Sequence, residues 1–200
     1  MDALLVYIAA DQRLALWRAT PLPDRDRGTV LFADISGFTT LTETLARPLG
    51  PRRGAEEVTR QLNEVYDVLT ATVERYGGSI VGFSGDGFIC WFPSDDGTGS
   101  DARSAALGAV TCALHMQNGM RRFATLALAG GEQVSLAMKV AVASGPVRRF
   151  LVGDPAVQLF DVLAGATLDR LGAIEGFAAR GEVWVDQPTA YLLPDATIEW

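Results

Sequence analysis

Two rhythms of apolar residues run along this chain, and the points where each starts and stops outline a fold. From Ser135, Leu136, Met138, Val140 and Val142 alternate with Ala137, Lys139, Ala141 and Ala143, the period of two that half-buries a strand. Earlier, Val58, Leu62, Val65, Leu69, Val73 and Tyr76 recur at helical spacing and keep one face of an α-helix buried. Glu56 and Glu57 near its start suit the positive end of the helix dipole, and Gly77 suits a left-handed stop after Tyr76. Two short β-prone runs, Ser79 to Phe83 and Phe88 to Phe92, flank Ser84-Gly85-Asp86-Gly87. The Asp-Gly pair there predicts a tight hairpin with Asp86 at its tip.

Punctuation supplies the remaining elements. Thr29 to Asp34 is the first well-marked strand, led in by a charged, turn-like stretch from Asp24 to Gly28. Before it, Leu4, Leu5, Ile8, Leu14, Leu16 and Trp17 form a packing segment or short helix that ends at Pro21-Leu22-Pro23. A loop with Pro48, Gly50 and Pro51 precedes the first long helix, and a polar loop runs from Ser94 to Ser100. A second long helix is predicted from about Asp101 to Leu128, nearly uncharged until Arg121 and Arg122. Gly145-Pro146 closes the alternating strand. Strand material at Val147 to Leu151, a helix near Ala166 to Ala178 and a strand at Glu182 to Asp186 complete the order. A βαββαβ order with a trailing αβ extension predicts an α+β, ferredoxin-like fold whose helices cover one face of a mostly antiparallel sheet. The chain divides into a flanking segment over residues 1–27 and one domain over 28–200.

Charge and cysteine usage narrow the function classes. A net charge of −7 with no Lys/Arg-rich run argues against nucleic acid, whose binding rests on phosphate neutralisation. Cys90 and Cys112 belong to no CxxC or Cys/His cluster, so neither a disulfide framework nor a zinc site is expected, and a reducing, cytoplasmic setting fits best. The uncharged stretch from Ser104 to Met120 is too short and too polar for a membrane span. The first residues do not match a signal peptide, and export is not expected.

The chemistry is concentrated in two places. In Phe32-Ala-Asp34-Ile-Ser-Gly37-Phe-Thr39 an apolar strand delivers a carboxylate and then turns through glycine into a helix start. Exposed amides at a helix N-terminus favour anions, and Gly37 lets the main chain come close to a phosphate. A hard cation needs several oxygen ligands, so a second carboxylate should lie beside Asp34 in space, and Asp86 is the candidate. Together they can hold one or two Mg²⁺ ions, with the backbone carbonyl of Ile35 as a further ligand.

These residues resemble the class III nucleotidyl cyclases, which convert ATP or GTP to the 3′,5′-cyclic nucleotide and pyrophosphate. The match rests on Phe32-Ala-Asp-Ile-Ser-Gly-Phe-Thr39, on Gly85-Asp86 in a downstream hairpin, and on the order of elements from Gly28 to about Asp186. Asp34-Ile-Ser-Gly-Phe-Thr-Thr-Leu-Thr-Glu43 and Arg53-Gly-Ala-Glu56 look most like the metal-bearing first domain of the bicarbonate-responsive, soluble adenylyl type. The resemblance implies that Asp34, Asp86 and the Ile35 carbonyl bind two Mg²⁺ or Mn²⁺ ions. It also implies that Ser36, Gly37, Phe38 and Thr39 hold the β- and γ-phosphates of a nucleoside triphosphate, ATP favoured.

The same resemblance exposes what is missing. Such cyclases work as dimers, and the opposite domain supplies a base-reading Lys, a ribose-positioning Asn and a transition-state Arg. The Lys place here is Gly82, the Asn place is Leu168 or Asp169, and the Arg place is Gly172 or Ala173. Arg170 lies close in sequence but faces another direction on a helix. The expected function is therefore the metal-bearing half of a cyclase, nearly inactive as a homodimer. Its partner would be a complementary domain in the same polypeptide or another chain. The alternative is a catalytically inactive regulatory domain that binds nucleotide or metal and dimerises. His115 reads as a packed or surface residue, Arg148 and Arg149 read as a solvated edge device, and no P-loop is present.

Overall fold

The computed structural model describes residues 9–94, 101–128, 131–154 and 157–194. Leu4, Leu5 and Ile8 of the expected N-terminal segment, and all but Ser94 of the expected polar loop, lie outside them. The elements in order are α1 (Ala10–Arg18), β1 (Arg25–Ser36), α2 (Phe38–Arg75), β2 (Ser79–Ser84), β3 (Gly87–Pro93), α3 (Ala102–Met120), β4 (Leu126–Ala127) and β5 (Gln133–Val134). Then follow β6 (Ala137–Asp154), β7 (Gln158–Ala164), α4 (Ala166–Glu175), β8 (Val183–Val185) and α5 (Gln187–Leu192). The main sheet runs β2-β3-β1-β6-β7, with every pair antiparallel except β8, which joins β6 in parallel. This is the expected α+β architecture.

Alternation along β1 and β6 gives the sheet two different faces. Leu31, Ala33 and Ile35 point to one side with Val140 and Val142, and there they meet Leu41, Val65, Leu69 and Val73 of α2 and Ala109, Cys112 and Met116 of α3. Val30, Ala141, Ala143 and Val147 point to the other side and meet Leu171, Leu168 and Ile174 of α4. The helices therefore cover both faces, not one as expected, because α4 returns across the sheet after β7. Each fully buried aliphatic side chain in these clusters contributes on the order of 1.5–3 kcal/mol.

Several boundaries differ from the sequence expectation, each for a physical reason. The charged stretch before Thr29 is already strand: Arg25 to Gly28 pair with Gly145 to Arg148 of β6. The loop with Pro48, Gly50 and Pro51 is instead a kink inside α2, centred on Gly50 at φ 78°. A proline is tolerated in the first turn of a helix, and Pro51 opens the second half of α2 in that way. α3 stops at Met120, where Arg121–Phe123 tighten into a 3₁₀ turn that buries Phe123. Gly145-Pro146 does not end the alternating strand. β6 continues to Asp154, and Thr167 donates to the Pro146 carbonyl at 2.8 Å. β7, absent from the sequence expectation, pairs with this second half of β6.

Arg149 is not a solvated edge residue. Its guanidinium is buried between Asp161 of β7 and Asp11 of α1, with Nε 2.8 Å from Asp161. Burial alone would disfavour its charge, but hydrogen bonds to Asp161 and then Asp11 outweigh that and hold its pKa up. The amide of Asp11 also donates to Ser79 at 2.9 Å, so α1 is clamped to the sheet through polar groups.

Candidate active site

Asp34 and Asp86 come together because β1 and β3 are antiparallel neighbours. The register sets Asp34 opposite Gly87, and the amide of Ile35 donates to the Asp86 carbonyl at 3.4 Å. Asp86 is exposed at the β2–β3 turn, while the Asp34 side chain is about a quarter exposed at 27%. Tyr66 of α2 lies edge-on to Phe83 at 5.6 Å and to Phe88 at 6.2 Å, under the same turn. Burial, and then the charge of Asp86, raise the pKa of its phenol.

Lys139 completes the cluster and was not singled out in the sequence. β6 places it directly opposite Asp34, and its ammonium lies 3.4 Å from that carboxylate and 2.5 Å from Glu175 at the end of α4. The hydrogen bond to Glu175, helped by the charges of Glu175 and Asp34, outweighs partial burial and raises the Lys139 pKa. The signal available was a single Lys in an otherwise apolar alternating strand. Its partners could not be read, because they depend on the β1–β6 register and on where α4 lands.

The turn after Asp34 is built as the sequence predicts. Gly37 has φ 110°, and a Cβ there would sit 2.4 Å from the Ser135 carbonyl oxygen, so a side chain is excluded twice over. α2 begins at Phe38 with no side-chain cap, which leaves its first amides free for an anion. Phe38 packs its ring on the core and can offer only its amide, whereas Thr39 is exposed. The Ser36 hydroxyl donates to the Ala137 carbonyl at 3.3 Å, tying the turn to β6.

The places expected of a base-reading Lys, a ribose-positioning Asn and a transition-state Arg hold other residues. A Cβ on Gly82 would meet nothing within 4 Å. Leu168 packs into the second core cluster, so exposed Asp169 and, four residues on, exposed Ala173 are the pair that α4 turns to solvent. Arg170 is committed elsewhere, bonding Asp186 and the Ser144 carbonyl, both at 2.8 Å. Asp186 itself is buried at the end of a hydroxyl chain. A carboxylate can only accept, so Thr189 gives it its proton and accepts from Ser144, which accepts from Thr29.

Two aspartates on adjoining strand ends, a glycine turn into an uncapped helix and an α+β sheet of this order are the features of a nucleotidyl-cyclase type of domain. The chain belongs to the adenylate and guanylate cyclase catalytic domain family, whose sequence pattern matches residues 21–199. It is 24% identical over 171 residues to mouse adenylate cyclase type 10, covering 86% of this chain but 10% of that protein. The chain thus spans about a tenth of the length of that relative. Among solved structures it is similar to the adenylyl cyclase CyaB from P. aeruginosa, with 25% identity and a TM-score of 0.68 over 84% of this chain and 80% of that one. A bacterial light-regulated adenylyl cyclase shares the fold at 17% identity and a TM-score of 0.71, over 96% of this chain and 52% of that one. Among the described residues no helix is long and apolar enough to cross a membrane.

Proposed function

We propose that this domain is the metal-bearing half of a class III nucleotidyl cyclase, making 3′,5′-cyclic nucleotide and pyrophosphate from ATP or GTP when joined to a complementary domain. What supports the reading is the backbone neighbourhood of Asp34 and Asp86 beside the uncapped start of α2, on a chain with Gly82 at the expected Lys place and Gly172 or Ala173 at the expected Arg place.

The donor set fits a hard divalent ion. Asp34 and Asp86 offer carboxylate oxygens, the Ile35 carbonyl is adjacent, and an ammonium already sits beside Asp34. No group of three or more His, Cys, Asp or Glu gathers among the described residues, so the rest of the shell must come from nucleotide and water. Mg²⁺ is commonly held in this way, by one or two carboxylates and substrate phosphates. Bound there, two Mg²⁺ or Mn²⁺ ions would polarise the α-phosphate, lower the pKa of the attacking hydroxyl and neutralise the departing pyrophosphate.

The chain's own groups then divide the work. The amides from Gly37 to Thr39 would hold the β- and γ-phosphates, and Lys139, held by Glu175, adds positive charge at the end of β1. A groove of about 830 Å³ beside the Asp86 hairpin, walled by Val81, Phe83, Ile89, Leu159 and Phe160, gives the complementary domain an apolar seat. The missing groups also favour a second reading, a pairing domain without turnover. Mixing this chain with a cyclase domain that carries the Lys, Asn and Arg separates the two. Cyclic nucleotide production that requires both chains supports the enzyme half, and continued silence supports the regulatory domain.

A further inference from the structure

α1 lies on the same face of the sheet as Asp34. Asp34 alternates with Val30 and Phe32 on the side of β1 that carries the second core cluster. Ser79, opposite Trp91 of that cluster, and Asp161, two residues from Leu163, stand on that side too. These two residues hold α1: the Asp11 amide donates to the Ser79 hydroxyl at 2.9 Å, and the Gln12 side chain donates to Asp161 at 3.2 Å. β2 and β7 are the outer strands of the path β2-β3-β1-β6-β7, and in a flat sheet they would lie about 19 Å apart, at roughly 4.8 Å per step. Consecutive residues of one helix reach both, so the sheet curls and α1 closes the gap between its edges.

α1 closes this gap without packing into it. None of its residues is buried, and Leu16 and Trp17 are 67% and 82% exposed. Space remains beside it: the groove of about 830 Å³, whose wall includes Ala9, Gln12 and Leu16 as well as Gly82, and a cavity of about 600 Å³ between Ala15, Ala19 and Leu151. A helix docked for good would fill such space, because protein interiors are close-packed. What holds α1 is polar. Arg13 pairs with Glu74 at 3.0 Å, a partly exposed contact of small worth. Asp11 shares the Arg149 guanidinium with Asp161. Departure of α1 removes one of two carboxylates from one cation, so Arg149 stays paired and no buried charge is stranded.

We propose that α1 is a removable strap across the pairing face, and that it leaves when a complementary cyclase domain seats over Asp34. This rests on the pairing proposed above. A partner that brings its Lys, Asn and Arg to nucleotide held at Asp34 has to approach from the side on which Asp34 stands, and α4 and α1 divide that side between them. α4 is anchored by buried Leu171 and Thr167 and by the Arg170 contact with Asp186, which leaves α1 as the part that can move. A detached helix of 9 residues is too short to persist alone in water, so release also unwinds it.

Hydrogen exchange of the whole chain, read by mass spectrometry over Ala10–Arg18, tests this beside a binding assay. The partner used is an isotope-labelled copy of the chain carrying Gly82→Lys/Asp169→Asn/Ala173→Arg, its own strap released by Asp11→Ala/Arg13→Gln. Alone, the α1 amides of the unaltered chain should exchange about ten-fold or more slowly than those of Asp11→Ala/Arg13→Gln, with exchange in β1 and β6 the same in both. The partner should bind the released chain about ten-fold or more tightly than the unaltered one, and at saturation it should abolish α1 protection in the unaltered chain. Protection that survives pairing, or equal binding by the two chains, would overturn the strap and leave the pairing reading standing. No binding by either chain would overturn both.

Discussion

Asp34 stands near the end of β1 between buried Ala33 and Ile35, and its value lies in what surrounds it: the Asp86 turn next to its facing residue Gly87, Lys139 opposite, and the glycine turn just beyond. Asp34→Asn and Asp86→Asn should each lower metal-dependent turnover of the assembled enzyme by about 100-fold or more, the scale at which a transition-state electrostatic group acts. Circular dichroism should remain unchanged, and full activity in either variant would remove the metal proposal. Gly37→Ala should destabilise the domain by about 1–3 kcal/mol in urea unfolding, since it combines a left-handed φ with a clash against Ser135. For Lys139 the raised pKa means its charge contribution is complete below 10.5 and is lost only as pH rises through the folded-state value. An NMR titration of its ammonium should therefore show a midpoint above 10.5, and a midpoint below it would contradict the Glu175 contact. Cys112, pushed up to about 12 by burial, should stay a thiol and resist iodoacetamide at pH 8 until the domain unfolds.

At the scale of elements, α1 and the β6–β7 hairpin depend on Arg149. Arg149→Ala leaves Asp11 and Asp161 facing each other without a cation and should cost about 3–5 kcal/mol, the penalty for breaking a buried ion pair. A loss under 1 kcal/mol in denaturant titration would show that α1 is held by other contacts. This triad also explains what the sequence could and could not convey. The helical rhythm from Val58 to Tyr76, the Asp86 hairpin and the Met138 to Val142 alternation are local patterns, and each appears as an element. Asp161 interrupts the apolar run of β7 with a charge whose partner lies on another strand, so the run does not read as strand by itself. Arg149 misleads in the same way, because its burial is set by Asp11, far away in the chain. The site divides along the same line. Asp34, Gly37 and Asp86 are legible because a strand end, a glycine turn and a hairpin tip are each encoded within a few residues. Lys139 and Glu175 are not, because only the β1–β6 register and the return of α4 bring them to Asp34.

Taken whole, the molecule on the proposed reading carries one side of a two-sided site. Gly82 has open space above it and Asp169 and Ala173 face solvent, so nothing in the packing prevents the missing groups from being installed. Gly82→Lys/Asp169→Asn/Ala173→Arg should fold within about 1 kcal/mol of the parent, as exposed substitutions usually do. It should also raise cyclic nucleotide formation of the chain on its own above background. On the proposed pairing, the apolar groove beside the Asp86 hairpin would seat the partner against that end of the sheet. The most direct test of the half-site is cyclic nucleotide formation with Mn²⁺ by the unaltered chain, alone and mixed with a cyclase domain that carries the Lys, Asn and Arg but lacks the two aspartates. The half-site account predicts background rates for each alone and turnover for the mixture that disappears with Asp34→Asn. Full turnover by this chain alone, or a mixture indifferent to Asp34→Asn, would contradict it.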